Sequence, residues 1–178
     1  MEFSRMRVSQ VISHALRHHP DKFGLTLDEF GFASLEKLTL GINRQLGTNF
    51  STRDIENIAV ELGGERFLIN NGKIRARYGH TIPISVAYDF IEPPINLFHG
   101  TLNENLQSIY SQGLLSHNHS VVFLTESYEE ALEAASRKGN PVVLTVESLK
   151  AYQSGLSFRK FTSTVYGSDE IPTRFIKW

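Results

Sequence analysis

Arg66-Phe67-Leu68-Ile69-Asn70-Asn71-Gly72-Lys73-Ile74-Arg75-Ala76-Arg77-Tyr78 decides how the first half of the chain is read. Asn-Gly is the strongest two-residue hairpin signal, because both residues tolerate the positive φ that a tight antiparallel turn needs. In the second strand Ile74, Ala76 and Tyr78 face one way, and Lys73, Arg75 and Arg77 the other. Upstream, Val8, Val11, Ile12, Ala15 and Leu16 recur at helical spacing, and Pro20 limits that helix. A second helix is expected over Ser34–Leu46. A third runs from Ser51, where Ser51-x-x-Asp54 reads as a capping box, to Leu62, closed by Gly63-Gly64. Three helices followed by a hairpin make a winged-helix lobe.

Downstream, Ile91-Glu92-Pro93-Pro94-Ile95 breaks the pattern. Two adjacent prolines cannot continue a helix or a central strand, so an extended linker is expected there, dividing the chain into lobes 1–92 and 93–178. Charge does not separate the lobes: residues 1–92 carry 11 basic and 11 acidic side chains, and 93–178 carry 7 and 8. The second lobe begins with a short strand, Ile95–Phe98, entering His99-Gly100-Thr101 and then a helix over about 103–112. Val121–Leu124 is a strand. Ser127-x-x-Glu130 caps a helix ending near Arg137-Lys138-Gly139, and Val142–Val146 is a β-branched strand. A short helix and an alternating tail through Trp178 complete a compact α+β lobe. The regular βαβ rhythm of a dinucleotide fold is missing.

Composition bounds the chemistry. The 178 residues hold 40% hydrophobic and 21% charged side chains and a formal net charge of −1. That balance argues against bulk electrostatic binding to long duplexes, where affinity grows with the number of phosphates neutralised. Cysteine is absent, which removes disulfides, thiolate metal sites and thiol nucleophiles together. No apolar run approaches the roughly 18 residues of a membrane span, and the N-terminus lacks a signal-peptide core. A cytoplasmic monomer with no membrane association is expected. Walker, G-x-G-x-x-G and G-x-S-x-G motifs are all missing.

Two clusters carry chemistry. Leu16-Arg17-His18-His19-Pro20 ends the first helix, and Lys73-Ile-Arg75-Ala-Arg77-Tyr-Gly-His80 lines a strand and its exit. Arginine forks suit phosphate, but cations also belong at helix C-termini, and a basic hairpin face is commonly just solvated. His99-Gly100-Thr101 reads either as a place where a ligand approaches the backbone or as a strand-to-helix turn capped by Thr101. His14/His18 and His117/His119 have metal-ligand spacings but no third ligand nearby, so no metal is expected.

Taken in order, the motifs resemble the RNA 2′-phosphotransferases, NAD-dependent enzymes that finish some tRNA splicing pathways. The matching pieces are Val8-Ser-x-x-Ile-Ser-x-x-Leu-Arg17-His18 with Pro20, Gly24-Leu-x-Leu-Asp28 with Gly31-Phe32-Ala33, and Ile74-Arg75-Ala76 with Gly79-His80-Thr81. They continue with Pro93-Pro94, Leu97-Phe98-His99-Gly100-Thr101, Ile109 with Gly113-Leu114, and Arg137-x-Gly139-x-Pro141-Val-Val-Leu144. Gly155-x-x-Phe158 and Phe175-Ile-x-Trp178 close the series.

The resemblance implies a winged-helix RNA lobe joined to an ADP-ribosyltransferase-like lobe that uses NAD⁺ as co-substrate. A phosphate oxygen of 2′-phosphorylated RNA attacks the nicotinamide ribose, nicotinamide leaves, and the neighbouring ribose hydroxyl then attacks phosphorus. The products are 2′-hydroxyl RNA and ADP-ribose 1″,2″-cyclic phosphate. The family's Arg-His-Arg-Arg set maps onto Arg17, His18, Arg75 and Arg137; the first three hold the phosphate and Arg137 serves the second step. Lys73, Arg77, His80 and Thr81 are the flanking RNA contacts. His99, Gly100, Thr101, His119, Leu124 and Thr125 fall at the NAD⁺-binding positions.

Departures lie in the second lobe. The family's Arg-x-x-Val-His-Leu-Ser reads His119-Ser120-Val121-Val122-Phe123-Leu124-Thr125, and its Asn-Gly-Val-Trp reads Ser163-Thr164-Val165-Tyr166. Each lost charge-assisted contact lowers the expected NAD⁺ affinity by about ten- to a hundred-fold. Besides the phosphotransferase, two readings stay open here: ADP-ribosylation of terminal nucleic-acid phosphates, and a non-catalytic binder of phosphorylated RNA.

Overall fold

Ser4 opens the first helix, α1 (Arg5–Arg17), by accepting a hydrogen bond from the Arg7 amide at 3.3 Å. Its Val8, Ile12, Ala15 and Leu16 face is fully buried. The computed structural model describes residues 4–117 and 121–178. Its helices and strands make an α+β protein divided into two compact units, one ending at Ala87 and the other running from Tyr88 to Trp178.

In the first unit α1 gives way to a 3-10 turn, Pro20–Phe23, and then to a loop organised by Asp28. The amides of Phe30 and Phe32 both donate to Asp28 Oδ1, at 3.1 and 2.9 Å. These bonds, that of Phe32 foremost, hold the carboxyl below the usual carboxylate range. The loop delivers a two-residue strand, β1 (Ala33–Ser34), and Ser34 then caps α2 (Leu35–Leu46) through the Lys37 amide. In α3 (Thr52–Gly63) the expected capping box is present: Ser51 Oγ accepts from the Asp54 amide, and Asp54 accepts from the Ser51 amide at 2.8 Å.

The hairpin forms as read, with β2 (Phe67–Asn70) and β3 (Lys73–Ala76) joined by Asn71 and Gly72 at φ 48° and 71°. β1 pairs with the other side of β3, Ala33 opposite Ile74, giving the order β1-β3-β2. Ile74 and Ala76 are fully buried and enter one core with Ile12, Leu38, Ile42 and Ile55. Burying each large aliphatic side chain of this kind contributes about 1.5–3 kcal/mol. That core leaves Lys73 and Arg75 on the opposite face of β3.

In the second unit β4 (Leu97–Leu102) and β6 (Val122–Thr125) lie inside a six-stranded antiparallel sheet. Its other strands are β7 (Pro141–Val146), β8 (Phe158–Lys160), β9 (Val165–Ser168) and β11 (Ile176–Lys177), in the order β11-β7-β4-β6-β9-β8. A separate pair is made by β5 (Leu114–Leu115) and β10 (Glu170–Ile171). Three helices connect the strands: α4 (Leu106–Gln112), α5 (Tyr128–Ser136) and α6 (Ser148–Gln153). Leu97, Leu124, Leu144, Val146 and Phe158 form the centre of this unit's core.

Two expectations shift. The division falls between Ala87 and Tyr88, before the residues expected to link the lobes. Tyr88 packs edge-on against Phe161 at 4.5 Å, Phe90 bridges to Arg159, and the Ile91 amide donates to the Phe158 carbonyl at 2.9 Å. The stretch before the prolines is therefore tied to the second unit through β8. The first strand of that unit also runs on through His99-Gly100-Thr101, in unbroken register with β7 from Leu97↔Val146 to Leu102↔Pro141. Thr101 is consequently a buried strand residue, and the following 3-10 turn has no side-chain cap.

Candidate active site

The end of α1 and the exit of β3 bring five of the expected residues together. His18 is the C-cap of α1, and its Nδ1 lies 3.0 Å from Thr81 Oγ1. The Thr81 amide donates to the Arg17 carbonyl at 3.0 Å, so the segment after β3 is fastened to the helix end. Gly79, at φ 85°, makes this route possible: a Cβ there would lie 3.4 Å from Arg17 Nε in a backbone conformation that side chains disfavour. Arg17 lies over the Tyr78 ring at 4.9 Å, and Arg75 over Phe32 at 5.2 Å. Both guanidiniums are thus held by aromatic faces.

His80 sits among these cations. Burial is the main cause that pushes its pKa down to about 4, with Arg17, Arg75 and His18 adding repulsion. Its Nε2 is buried with no hydrogen-bond partner among the described residues, close to where a side chain on Gly31 would project. Arg75 Nη1 donates weakly to the Phe30 carbonyl at 3.4 Å, while its buried Nε has no acceptor among the described residues. A half-buried set of like charges with an unsatisfied N–H on Arg75 is costly unless an anion completes it.

The remaining basic residues of the hairpin are placed differently. Lys73 is exposed and reaches Asp28 at 3.5 Å. Arg77 lies past the end of β3, its amide donating to the Arg66 carbonyl at 2.9 Å. The histidine pattern on α1 is a ring cluster, with His14 at 5.7 Å from His18 and 4.9 Å from His19. Among the described residues, no group of three or more metal-ligating side chains is arranged to hold an ion.

In the second unit His99 is the best-defined polar group. Its Nδ1 lies 2.8 Å from the Phe123 carbonyl, and burial lowers its pKa. A neutral ring beside a carbonyl must donate from Nδ1, which leaves Nε2 as an acceptor. β4 and β6 share one registered pair among the described residues, Phe98↔Thr125, and beyond it the imidazole takes the Phe123 carbonyl. Gly100 faces α5: a Cβ would collide with the Ala131 carbonyl, so the missing side chain is what lets the helix pack on the sheet. Thr101 Oγ1 accepts from Asn105 Nδ2 at 3.4 Å, and Leu124 belongs to the core. Thr125 Oγ1 donates to Glu130 Oε2 at 2.7 Å. Arg137, at the C-cap of α5, is exposed and ion-paired to Glu133 one turn back. His119 lies outside the described residues. The Phe123 ring packs at 5.7 Å against Phe161, and Tyr166 donates its hydroxyl to Glu126 at 2.6 Å.

Sequence reasoning does not place Phe32, Tyr78 or Glu130 among the site residues. Phe32 appears there only inside a matching motif and Tyr78 only as a strand residue; their role shows when the fold puts a guanidinium over each.

Comparison with known proteins agrees with the motif order. A family model described as "RNA 2'-phosphotransferase, Tpt1 / KptA family" matches residues 4–170. A "Probable RNA 2'-phosphotransferase" of Streptomyces griseus is 33% identical, covering 96% of this chain and 95% of its own length. One from Burkholderia pseudomallei with the same description is 32% identical, over 99% of this chain and 96% of its own. Another from Aeropyrum pernix is 35% identical over 97% of this chain and 79% of its own. The chain belongs to the RNA 2′-phosphotransferase family of transferases.

Proposed function

We propose that the chain removes an internal 2′-phosphate from RNA, of the tRNA splice-junction type, by transferring it to NAD⁺. Nicotinamide and ADP-ribose 1″,2″-cyclic phosphate are released. In this reading the first unit is a winged-helix lobe for RNA, with the Asn71-Gly72 hairpin as its wing. The second is an ADP-ribosyltransferase-like lobe for NAD⁺, and the enzyme acts as a cytoplasmic monomer.

One observation carries the proposal: Arg17, His18 and Arg75 surround a histidine kept neutral by burial first and by their charge second, and Arg75 Nε is buried without an acceptor among the described residues. A phosphate monoester dianion satisfies that N–H and neutralises the repulsion in one step. It is also a ready nucleophile, so no general base is required and the protein's task is orientation. Arg17, His18 and Arg75 hold the phosphate; Lys73, Arg77 and Thr81 flank the RNA.

NAD⁺ supplies an electrophilic ribosyl carbon with a good leaving group. Support for its site comes from His99, whose Nε2 offers an acceptor beside the Phe98–Thr125 pair of β4 and β6, and from the polar end of β6 at Thr125. Gly100, Thr101 and Leu124 frame these groups. Arg137 is available to steady charge on phosphorus in the second step, because an exposed i,i+4 ion pair is worth only about 0.3–0.5 kcal/mol and is easily exchanged.

A second reading, a non-catalytic binder of phosphorylated RNA, draws on Phe123, whose apolar packing against Phe161 leaves one fewer polar group beside His99. Nicotinamide release separates the two. The phosphotransferase liberates nicotinamide from NAD⁺ only when 2′-phosphorylated RNA is present; a binder liberates none.

A further inference from the structure

Glu130 occupies the N3 position of α5, where a glutamate ordinarily reaches back to the amide of the N-cap residue. Here it does not. Ser127 Oγ accepts from the Glu130 amide at 3.2 Å, but the Ser127 amide donates to Thr125 Oγ1, also at 3.2 Å. The carboxylate is thereby released from the capping box. Its Oε2 instead accepts from two hydroxyls, Thr125 Oγ1 at 2.7 Å and Thr164 Oγ1 at 3.0 Å. Three pieces of chain meet there: the end of β6, the first turn of α5 and the approach to β9, which the Glu126 amide ties in by donating to the Thr164 carbonyl at 2.9 Å.

The donor and acceptor balance of this corner says what it can bind. Both hydroxyl protons are spent on Oε2. What faces outward is acceptor capacity: Oε1 of the exposed Glu130, which makes no hydrogen bond among the described residues, while Thr125 is buried behind it. Such a surface repels phosphate and carboxylate and matches paired hydroxyl donors. Thr125 is also the registered partner of Phe98, the residue next to His99, whose Nε2 is likewise an acceptor.

We propose that Thr125, Glu130 and Thr164 form a ribose-diol site, in which Glu130 Oε1 accepts from a ribose hydroxyl of the dinucleotide; the inference rests on the NAD⁺ reading above. Glu130 is a binding residue in this view, and the two threonines fix its carboxylate.

The test is titration calorimetry of the full chain and of Glu130→Ala with three ligands. These are NAD⁺ and two analogues, one lacking both hydroxyls on the nicotinamide-side ribose and one lacking them on the adenosine-side ribose. The variant should bind NAD⁺ about ten- to a hundred-fold more weakly, as expected for losing a hydrogen bond to a charged group. For one of the two analogues, native chain and variant should bind alike, and that analogue identifies the ribose concerned. Glu130→Gln, which keeps one oxygen and the side-chain shape, should fall between them. Unchanged NAD⁺ affinity in Glu130→Ala overturns the proposal. So does an equal loss for NAD⁺ and both analogues, which marks Glu130 as a staple between loops. If the native chain binds none of the three, the NAD⁺ reading itself has failed and this inference goes with it.

Discussion

Acidification tests the cationic cluster most quantitatively through His80. In the unfolded chain its imidazole titrates near the ordinary 6.5, and in the folded protein near 4. Between those values the unfolded state holds a proton that the folded state refuses, so stability is lost as pH falls from 6.5 toward 4. The gap spans about 2.5 pH units at about 1.4 kcal/mol each, giving a ceiling of about 3.5 kcal/mol. His80 is only half-buried and Arg17 and Arg75 reach solvent, so screening reduces this to about 1–2 kcal/mol. Urea denaturation at about pH 7.5 and about pH 4.5 should show the native chain losing that much more than His80→Gln, which cannot take a proton. The other histidines are common to both proteins and cancel. A proton NMR titration gives the same answer directly, with the His80 ring unprotonated down to about pH 5. A midpoint near 6.5, or identical pH dependence in the two proteins, would refute the geometry of Arg17, His18 and Arg75 around this ring.

Removing one of the cations should move that midpoint. In Arg75→Ala the His80 titration shifts upward, and affinity for a 2′-phosphorylated oligonucleotide falls about ten- to a hundred-fold while a 2′-hydroxyl oligonucleotide is unaffected. Arg17→Ala should nearly abolish turnover; normal product formation would remove Arg17 from the clamp. Arg137→Ala should fold normally by circular dichroism, since the side chain is exposed, yet accumulate RNA linked to ADP-ribose on mass spectrometry. Gly100→Ala drives a methyl into the Ala131 carbonyl and should cost about 1–3 kcal/mol in urea denaturation, although the residue is drawn as a ligand contact by the sequence motif. A neutral or stabilising result would mean that α5 does not lie on β4 as described.

Local chemistry was the most legible part of the fold. Ser51 and Asp54 declare a capping box within four residues, and Asn71-Gly72 declares its turn, because neither depends on distant chain. Features decided by distant partners were not legible. β1 is two residues long and exists because Ala33 and Ser34 meet Ile74 and Lys73, some forty residues away in sequence. His99-Gly100-Thr101 resembles a turn until α5 is seen to need the space over Gly100. Tyr88–Ile91 is read with the first lobe, 1–92, until β8 claims it for the second. The site follows the same rule. Residue type and order mark Arg17, His18 and Arg75, whereas Lys73 is diverted to Asp28, and Glu130 hides behind a capping motif whose second half it does not make.

The most direct measurement is incubation of the purified chain with NAD⁺ and an oligonucleotide carrying one internal 2′-phosphate, with both products followed by mass spectrometry. Conversion to 2′-hydroxyl RNA, matched by nicotinamide and ADP-ribose 1″,2″-cyclic phosphate in equal amounts and abolished in Arg17→Ala and Arg75→Ala, is the expected result. RNA recovered with its 2′-phosphate intact and NAD⁺ unconsumed would contradict it.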